Sequence, residues 1–74
     1  MPKLIPHRPK DVVRKLQKLG YQIDRQKGSH VIMYNSKNKK RAVVPMHTKE
    51  LKKGTLRSIL RGCDISVDKF LTIK

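Results

Sequence analysis

The first third of the chain has apolar residues at the spacing of a helix. They fall on one side of a 3.6-residue period: Val12, Val13, Leu16 and Leu19. Pro9 suits a first helical turn, and Gly20 suits the left-handed position that ends a helix. The pattern therefore predicts a helix over residues 9–19. Its opposite face is predicted to be basic and polar: Lys10, Arg14, Lys15 and Lys18.

Between residues 21 and 44 the pattern changes to an alternation with a period of two, which is typical of strands. Half-buried strands are predicted over 21–25, 29–34 and 41–44. A turn over residues 26–28 and a polar, basic loop over residues 35–40 connect them. Pro45 is expected to end the third strand because proline cannot donate a hydrogen bond to the sheet. Short connections between consecutive strands indicate an antiparallel meander.

A second apolar stripe predicts another helix after an irregular link over residues 46–53. The helix is expected to begin at Gly54-Thr55 and to end at Gly62, with Leu56, Ile59 and Leu60 facing the core. Ser66 is a candidate cap for a last short helical turn. The result is one α+β domain over residues 1–74 with the order α-β-β-β-α. Two helices cover one face of a three-stranded antiparallel sheet, and residues 1–8 form a loose lead-in.

Charge is the strongest feature of the composition. The chain has 19 Lys plus Arg against 5 Asp plus Glu, a formal net charge of +14. Nucleic acid is the favoured partner, because cations that neutralise phosphates release counterions. Many Lys and Arg residues together therefore strengthen binding. A membrane is disfavoured, since no run of 18 apolar residues is present and no helix pairs a broad apolar face with a basic one.

Other compositional features bound the location and the chemistry. Residues 1–10 lack the apolar stretch of a signal peptide, so a cytoplasmic location is the default expectation. Cys63 is the single cysteine, which allows neither an internal disulfide nor a cysteine-based metal site. We interpret it as a small buried apolar residue. Of the five acids only Asp64 and Asp68 lie close together, and Asp68 better fits a helix start, so no metal or other cofactor is predicted.

The segment Gly28-Ser29-His30 is the best candidate for chemistry. Histidine titrates near pH ~6.5 and is the natural acid or base at neutral pH. A histidine that removes the proton of an RNA 2′-hydroxyl lets that oxygen attack the neighbouring phosphate without a metal. DNA lacks this hydroxyl and is not expected to be a substrate. Cations beside His30 by strand adjacency would stabilise the charge that develops on the phosphate: Arg25, Lys27 and Arg41.

Each of these residues also has a structural interpretation. His30 shares a strand face with Ile32 and Tyr34, and alternation alone does not decide whether that face is the core. Gly28 either serves the turn only or lets an RNA backbone approach closely. Ser29 either orients His30 or bonds within the turn. His47 is a second acid–base or RNA-contacting candidate, with a structural role as the alternative, whereas His7 in the lead-in is expected to be incidental.

The chain resembles the HicA (YcfA-like) toxins of bacterial toxin–antitoxin pairs. The resemblance covers about residues 9–71 and depends on several motifs in one order. These motifs are Leu19-Gly20-Tyr21, Gln26-Lys27-Gly28-Ser29-His30, Val44-Pro45-Met46-His47, and the run from Lys49 to Leu60 that contains Gly54-Thr55-Leu56-Arg57-Ser58-Ile59-Leu60.

This resemblance implies a double-stranded-RNA-binding-domain-like fold and a toxin that cuts mRNA and halts translation. It implies that His30 is catalytic and that a HicB antitoxin neutralises the protein. In such folds the start of the last main helix meets phosphates, which suggests RNA contacts by Lys52, Lys53 and Arg57. An antitoxin that covers a surface of this charge and blocks His30 is expected to carry an acidic patch.

Two other functions fit parts of the same pattern. A non-catalytic double-stranded-RNA-binding module would use the same fold and charge but would not need His30. A small structural protein of the ribosome would also be basic, although the predicted Gly28-Ser29-His30 turn is more organised than such a role requires.

Overall fold

The computed structural model describes residues 3–74, and its elements follow the predicted order. The helices and strands are α1 (Pro9–Lys18), β1 (Gln22–Lys27), β2 (His30–Asn35), β3 (Lys40–Pro45), α2 (Lys53–Gly62) and α3 (Val67–Thr72). The three strands form one antiparallel sheet in the order β1-β2-β3. This confirms an α+β, double-stranded-RNA-binding-domain-like fold, and α3 is the predicted last short helix. Within residues 3–74, no helix is long and apolar enough to cross a membrane.

One face of the sheet is covered by helices and forms the core. Its buried side chains alternate along β2 and β3: Val31, Met33, Ala42 and Val44. They join one cluster with buried residues of the two longer helices: Val12, Leu16, Leu56 and Leu60. His30, Ile32 and Tyr34 therefore belong to the opposite face of β2, which none of the helices within residues 3–74 covers. The open question about the face of His30 is settled by this burial pattern.

Strand β1 differs from the half-buried strand that was predicted. All six of its residues are exposed, including Ile23 at 51%, and only Tyr21, just before it, is buried. The pairing with β2 shifts between Ile23 and Arg25, so Asp24 is the extra residue of a β-bulge. A bulge reverses the alternation beyond it. Arg25 and Lys27 consequently lie opposite Ile32 and His30, on the uncovered face of the sheet.

The turn between β1 and β2 is also tighter than predicted. It contains two residues, Gly28 and Ser29, while Gln26 and Lys27 belong to β1. Pro45 is the last residue of β3 rather than the residue after it, and it lies opposite His30. Ser66 caps α3 as predicted, since its Oγ accepts a hydrogen bond from the Lys69 N–H at 3.1 Å.

The prediction of a loose lead-in does not describe Leu4 and His7. Leu4 is buried in the core, and the His7 carbonyl accepts a hydrogen bond from the Leu51 N–H at 2.7 Å. The half-buried His7 ring lies 5.1 Å from the Phe70 ring, and its Nε2 is 3.1 Å from Lys15 Nζ. His7 is thus structural, and residues 1 and 2 lie outside the described residues.

Lys15 was predicted on the polar face of α1 but is buried. Its ammonium lies 4.7 Å from the centre of the Phe70 ring, so its aliphatic part covers apolar surface while its head meets His7 and an aromatic face. Burial, and to a smaller degree the charge of Arg14, lowers the pKa of Lys15. Helical spacing predicted the apolar face of α1, but it did not predict that a lysine at the edge of this face is buried.

Tyr21 and Cys63 meet in the core behind the sheet. The Tyr21 hydroxyl points at the Cys63 carbonyl at 3.5 Å, and both side chains are about 2% exposed. Burial raises the pKa of Tyr21 to about 12, with a smaller contribution from Cys63 beside it. Burial also raises the pKa of the Cys63 thiol. Cys63 is therefore a small buried residue, as predicted.

Candidate active site

The Gly28–Ser29 turn places His30 at the start of β2 on the uncovered face. Gly28 has a φ of +60°, a conformation that glycine adopts without the strain a Cβ atom would cause. A Cβ atom built at Gly28 would have no neighbour within 4 Å, so backbone conformation rather than crowding accounts for glycine here. The same open space leaves room beside the turn for a ligand. His30 itself is exposed.

The turn also holds the second histidine of the site. The Met46 N–H donates to the Ser29 carbonyl at 2.6 Å, which ties the end of β3 to the turn. Next to this bond, Ser29 Oγ lies 3.4 Å from His47 Nδ1. The rings of His30 and His47 are 6.0 Å apart between centres and inclined at 56°. Two exposed imidazoles from different parts of the chain therefore share one small area of surface.

Two of the predicted cations lie on the same face as His30. Lys27 is directly opposite His30 in the β1–β2 ladder, and Arg25 is opposite Ile32 in the next row. Opposed residues of an antiparallel pair have Cβ atoms about 4.5–5.5 Å apart and side chains on one face. The bulge at Asp24 makes this arrangement, because an unbulged β1 would direct Arg25 and Lys27 to the other face.

Arg41 is not adjacent to His30, contrary to the prediction. It pairs with Tyr34 at the other end of β2, four residues along the strand from His30 and so roughly 13 Å away. Its guanidinium lies 5.0 Å from the centre of the Tyr34 ring, and its Nη1 is 3.3 Å from Asp24 Oδ2. Arg41 belongs to a separate polar cluster on the same sheet face.

The predicted cations of α2 lie at the start of that helix. Lys52 is its N-cap, and Lys53 and Arg57 are exposed within its first two turns. Lys52 lines the same surface depression as His47, together with Glu50, Thr55 and Pro45. Lys52 therefore shares a depression with His47.

Tyr34 and Asp24 were not predicted to be part of a functional surface. The alternation of β2 contained a signal for Tyr34, which has the same parity as His30. Asp24 had no such signal, because its position over the sheet depends on the bulge. In the described part of the chain, no three His, Cys, Asp or Glu side chains are grouped so that they could hold a metal ion.

Comparison with family models gives a match over most of the chain. Residues 9–65 match the family model described as the HicA toxin of bacterial toxin–antitoxin systems. That range contains β1 to β3, α2 and both exposed histidines. No curated protein matches the chain.

Proposed function

The chain belongs to the HicA family of bacterial toxins, and from this membership we propose that it is an endoribonuclease that cuts mRNA and thereby arrests translation. The observation that supports the proposal most is the exposed pair of His30 and His47, with ring centres 6.0 Å apart, on a face that also has Lys27. Two imidazoles beside a cation are a suitable set of groups for transfer of a phosphoryl group between RNA oxygens.

In the proposed reaction, neutral His30 accepts the proton of a ribose 2′-hydroxyl. The 2′-oxygen then forms a bond to the adjacent phosphorus, and the bond from phosphorus to the 5′-oxygen of the next nucleotide breaks. Protonated His47 donates its proton to that leaving oxygen. The products are a 2′,3′-cyclic phosphate and a 5′-hydroxyl, and no metal is needed to balance the step. Acid–base catalysis of this type contributes about 10²–10⁴-fold to a rate.

The remaining residues of the site assist this chemistry. Lys27 is positioned to face the negative charge of the phosphate during the reaction, because it is the residue opposite His30. Ser29 orients His47 through its Oγ. Lys52 draws the RNA backbone toward the surface depression that it shares with His47. Arg25, Lys53 and Arg57 extend the basic surface to neighbouring phosphates.

Membership of a toxin–antitoxin family implies a cognate antitoxin. We propose a HicB-like protein that lies over His30 and His47 and excludes RNA. Its contact surface is acidic, since it must be complementary to a chain with a net charge of +14. The complex is therefore expected to weaken at high salt.

The decisive test is RNA cleavage by purified protein in the presence of a chelator. We expect fragments with 2′,3′-cyclic phosphate ends from the unsubstituted protein, and a loss of rate of at least about 100-fold in His30→Ala. An RNA with a single 2′-deoxy nucleotide at the cut position should stay intact at that position. Lys69→Ala, on the exposed surface of α3, is a control that should cut normally.

The outcomes separate the proposed enzyme from a binding module. If the unsubstituted protein and His30→Ala bind RNA equally and neither cuts it, the protein is a non-catalytic RNA-binding module. His47→Ala tests the second histidine: with one acid and one base the rate passes through a maximum as pH rises, and loss of the acid should remove the decline on the alkaline side.

A further inference from the structure

The sheet face that bears His30 continues to a second cluster at the far end of β2, formed by Tyr34, Arg41 and Asp24. We propose that this cluster is a stacking site for one nucleobase of single-stranded RNA, a proposal that rests on the proposed function for its ligand. The Tyr34 ring and the Arg41 guanidinium that lies against it, held by Asp24, form a platform on which a base several nucleotides from the scissile phosphate stacks.

The first argument is the placement of the aromatic residues. The sequence has two Tyr, one Phe and no Trp. Tyr21 and Phe70 are buried in the core, whereas Tyr34 is half-buried and is the one of the three that reaches the surface. That ring lies on the uncovered face, on the same side of β2 as His30. Sequence-tolerant binding of single strands uses aromatic rings at the protein surface, since every base has a face that can stack.

The second argument is the layered arrangement around Tyr34. The Arg41 guanidinium lies 5.0 Å from the ring centre, and its Nη1 is 3.3 Å from Asp24 Oδ2. Asp24 also lies 3.5 Å from Arg25 Nε. Arginine held in this way presents a flat, charged surface, and bases stack on guanidinium planes as well as on aromatic rings. The ion pair with Asp24 therefore orients the Arg41 guanidinium for stacking on a base and not for an ion pair with a phosphate.

The third argument is the shape of the surface next to the platform. A depression of about 110 Å³ is lined by Tyr34 together with Gln22, Asp24 and Ser36. Residues with an amide, a carboxylate and a hydroxyl side chain thus line a depression next to Tyr34. A carboxylate has more acceptor sites than its two guanidinium contacts use. It would accept a hydrogen bond from the exocyclic amino group of adenine, cytosine or guanine, which uracil lacks.

The distance to the catalytic pair defines the register of the RNA. His30 and Tyr34 are four residues apart on one strand, so the platform is roughly 13 Å from His30. A stacked strand advances by about 3.4 Å per nucleotide, which places the stacked base roughly four nucleotides from the cut, or fewer where the strand is extended. The cluster thus selects the base at one fixed position outside the cut itself.

The test measures binding of short single-stranded RNAs to the His30→Ala protein, so that the ligand is not consumed. Each RNA carries the fluorescent base 2-aminopurine at one position, and stacking quenches its emission. We expect quenching at a single position, and about 10-fold weaker binding after Tyr34→Leu, with Tyr34→Phe close to the parent. Arg41→Lys keeps the charge but loses the plane, so it should weaken binding while the dependence on salt is unchanged.

A second series replaces the base at the quenched position by each natural base. The RNA with uracil at this position should bind most weakly. Asp24→Asn should reduce the difference in affinity between this RNA and the other three. Thermal unfolding of each variant shows whether it is folded, and Arg41→Lys tests the platform even if Tyr34→Leu is unstable. The proposal is overturned if no position is quenched, or if folded Tyr34→Leu and Arg41→Lys both bind as tightly as the parent. Cleavage by the unsubstituted protein alongside such a result would reject the platform and leave the ribonuclease standing.

Discussion

Strand β2 serves two different faces of the protein with alternate residues. Val31 and Met33 are at most 5% exposed and pack under the helices, whereas His30 before them is open to solvent. On the covered face, van der Waals contact and burial determine which side chain fits. The other face has charged side chains, one tyrosine ring and an exposed imidazole, and little packing depends on them. Substitutions on the two faces should therefore affect different measurements.

The largest difference between the two faces is expected from truncation of a core side chain. Met33 is fully buried at the centre of the sheet, so Met33→Ala should lower the free energy of unfolding by about 2–5 kcal/mol. Val43→Ala truncates a side chain that is 48% exposed on the uncovered face. It should change the free energy of unfolding by about 0.5 kcal/mol or less. Urea unfolding of both variants measures the difference. Equal losses would contradict the assignment of the two faces.

The next effect is a loss of stability at alkaline pH. The folded state raises the pKa of Tyr21 from 10.0 to about 12 because the ring is buried. Folding therefore favours the protonated phenol, and this contribution is complete below pH 10 and declines as pH rises toward 12. The change amounts to about 2–3 kcal/mol. The free energy of unfolding measured as pH rises from 10 toward 12 should show this decline. Tyr21→Phe should remove the part of the decline that Tyr21 causes.

A smaller effect is expected at the turn before His30. Gly28→Ala places a Cβ atom on a backbone with a φ of +60° and should cost about 1–2 kcal/mol of stability. Asparagine tolerates this conformation better, so Gly28→Asn should cost less. If the open space beside Gly28 also receives RNA, both variants should weaken RNA binding to a similar degree. If Gly28→Asn binds and cuts normally, the glycine serves the turn alone.

The smallest effect is the removal of one cation from the uncovered face. Lys27→Ala should reduce the slope of log affinity against log salt by about 0.7–0.9, the value for one phosphate contact. Lys69→Ala removes the same charge from α3, away from this face, and should leave the slope unchanged. Measurement of RNA affinity at several salt concentrations compares the two. A similar slope for both variants would mean that Lys27 makes no phosphate contact.

The elements were predictable from the sequence because each follows a strong local pattern. The period of Val12 and Leu16, the alternation along β2 and the cap at Ser66 each depend on a few neighbouring residues. The arrangement of the site was less predictable. The shift at Asp24 decides the face of Arg25 and Lys27, and a period of two contains no information about a single extra residue.

Other differences arise from contacts between distant parts of the chain. Lys15 is buried because α3 brings Phe70 over it, and His7 is ordered by Lys15 and Leu51. Helical spacing assigned Lys15 to solvent because it describes one helix at a time. Likewise, the Met46–Ser29 hydrogen bond joins His47 to His30 across 17 residues of chain, a proximity that sequence distance conceals.

The bulge in β1 has a consequence for how related chains should be compared. Loss or gain of one residue within Gln22–Lys27 would rotate the basic side chains beyond it from one surface of the sheet to the other. Two homologues could then share nearly all their amino acids and yet present opposite electrostatic surfaces to a nucleic acid. Alignment gaps in this strand therefore carry more functional meaning than substitutions within it.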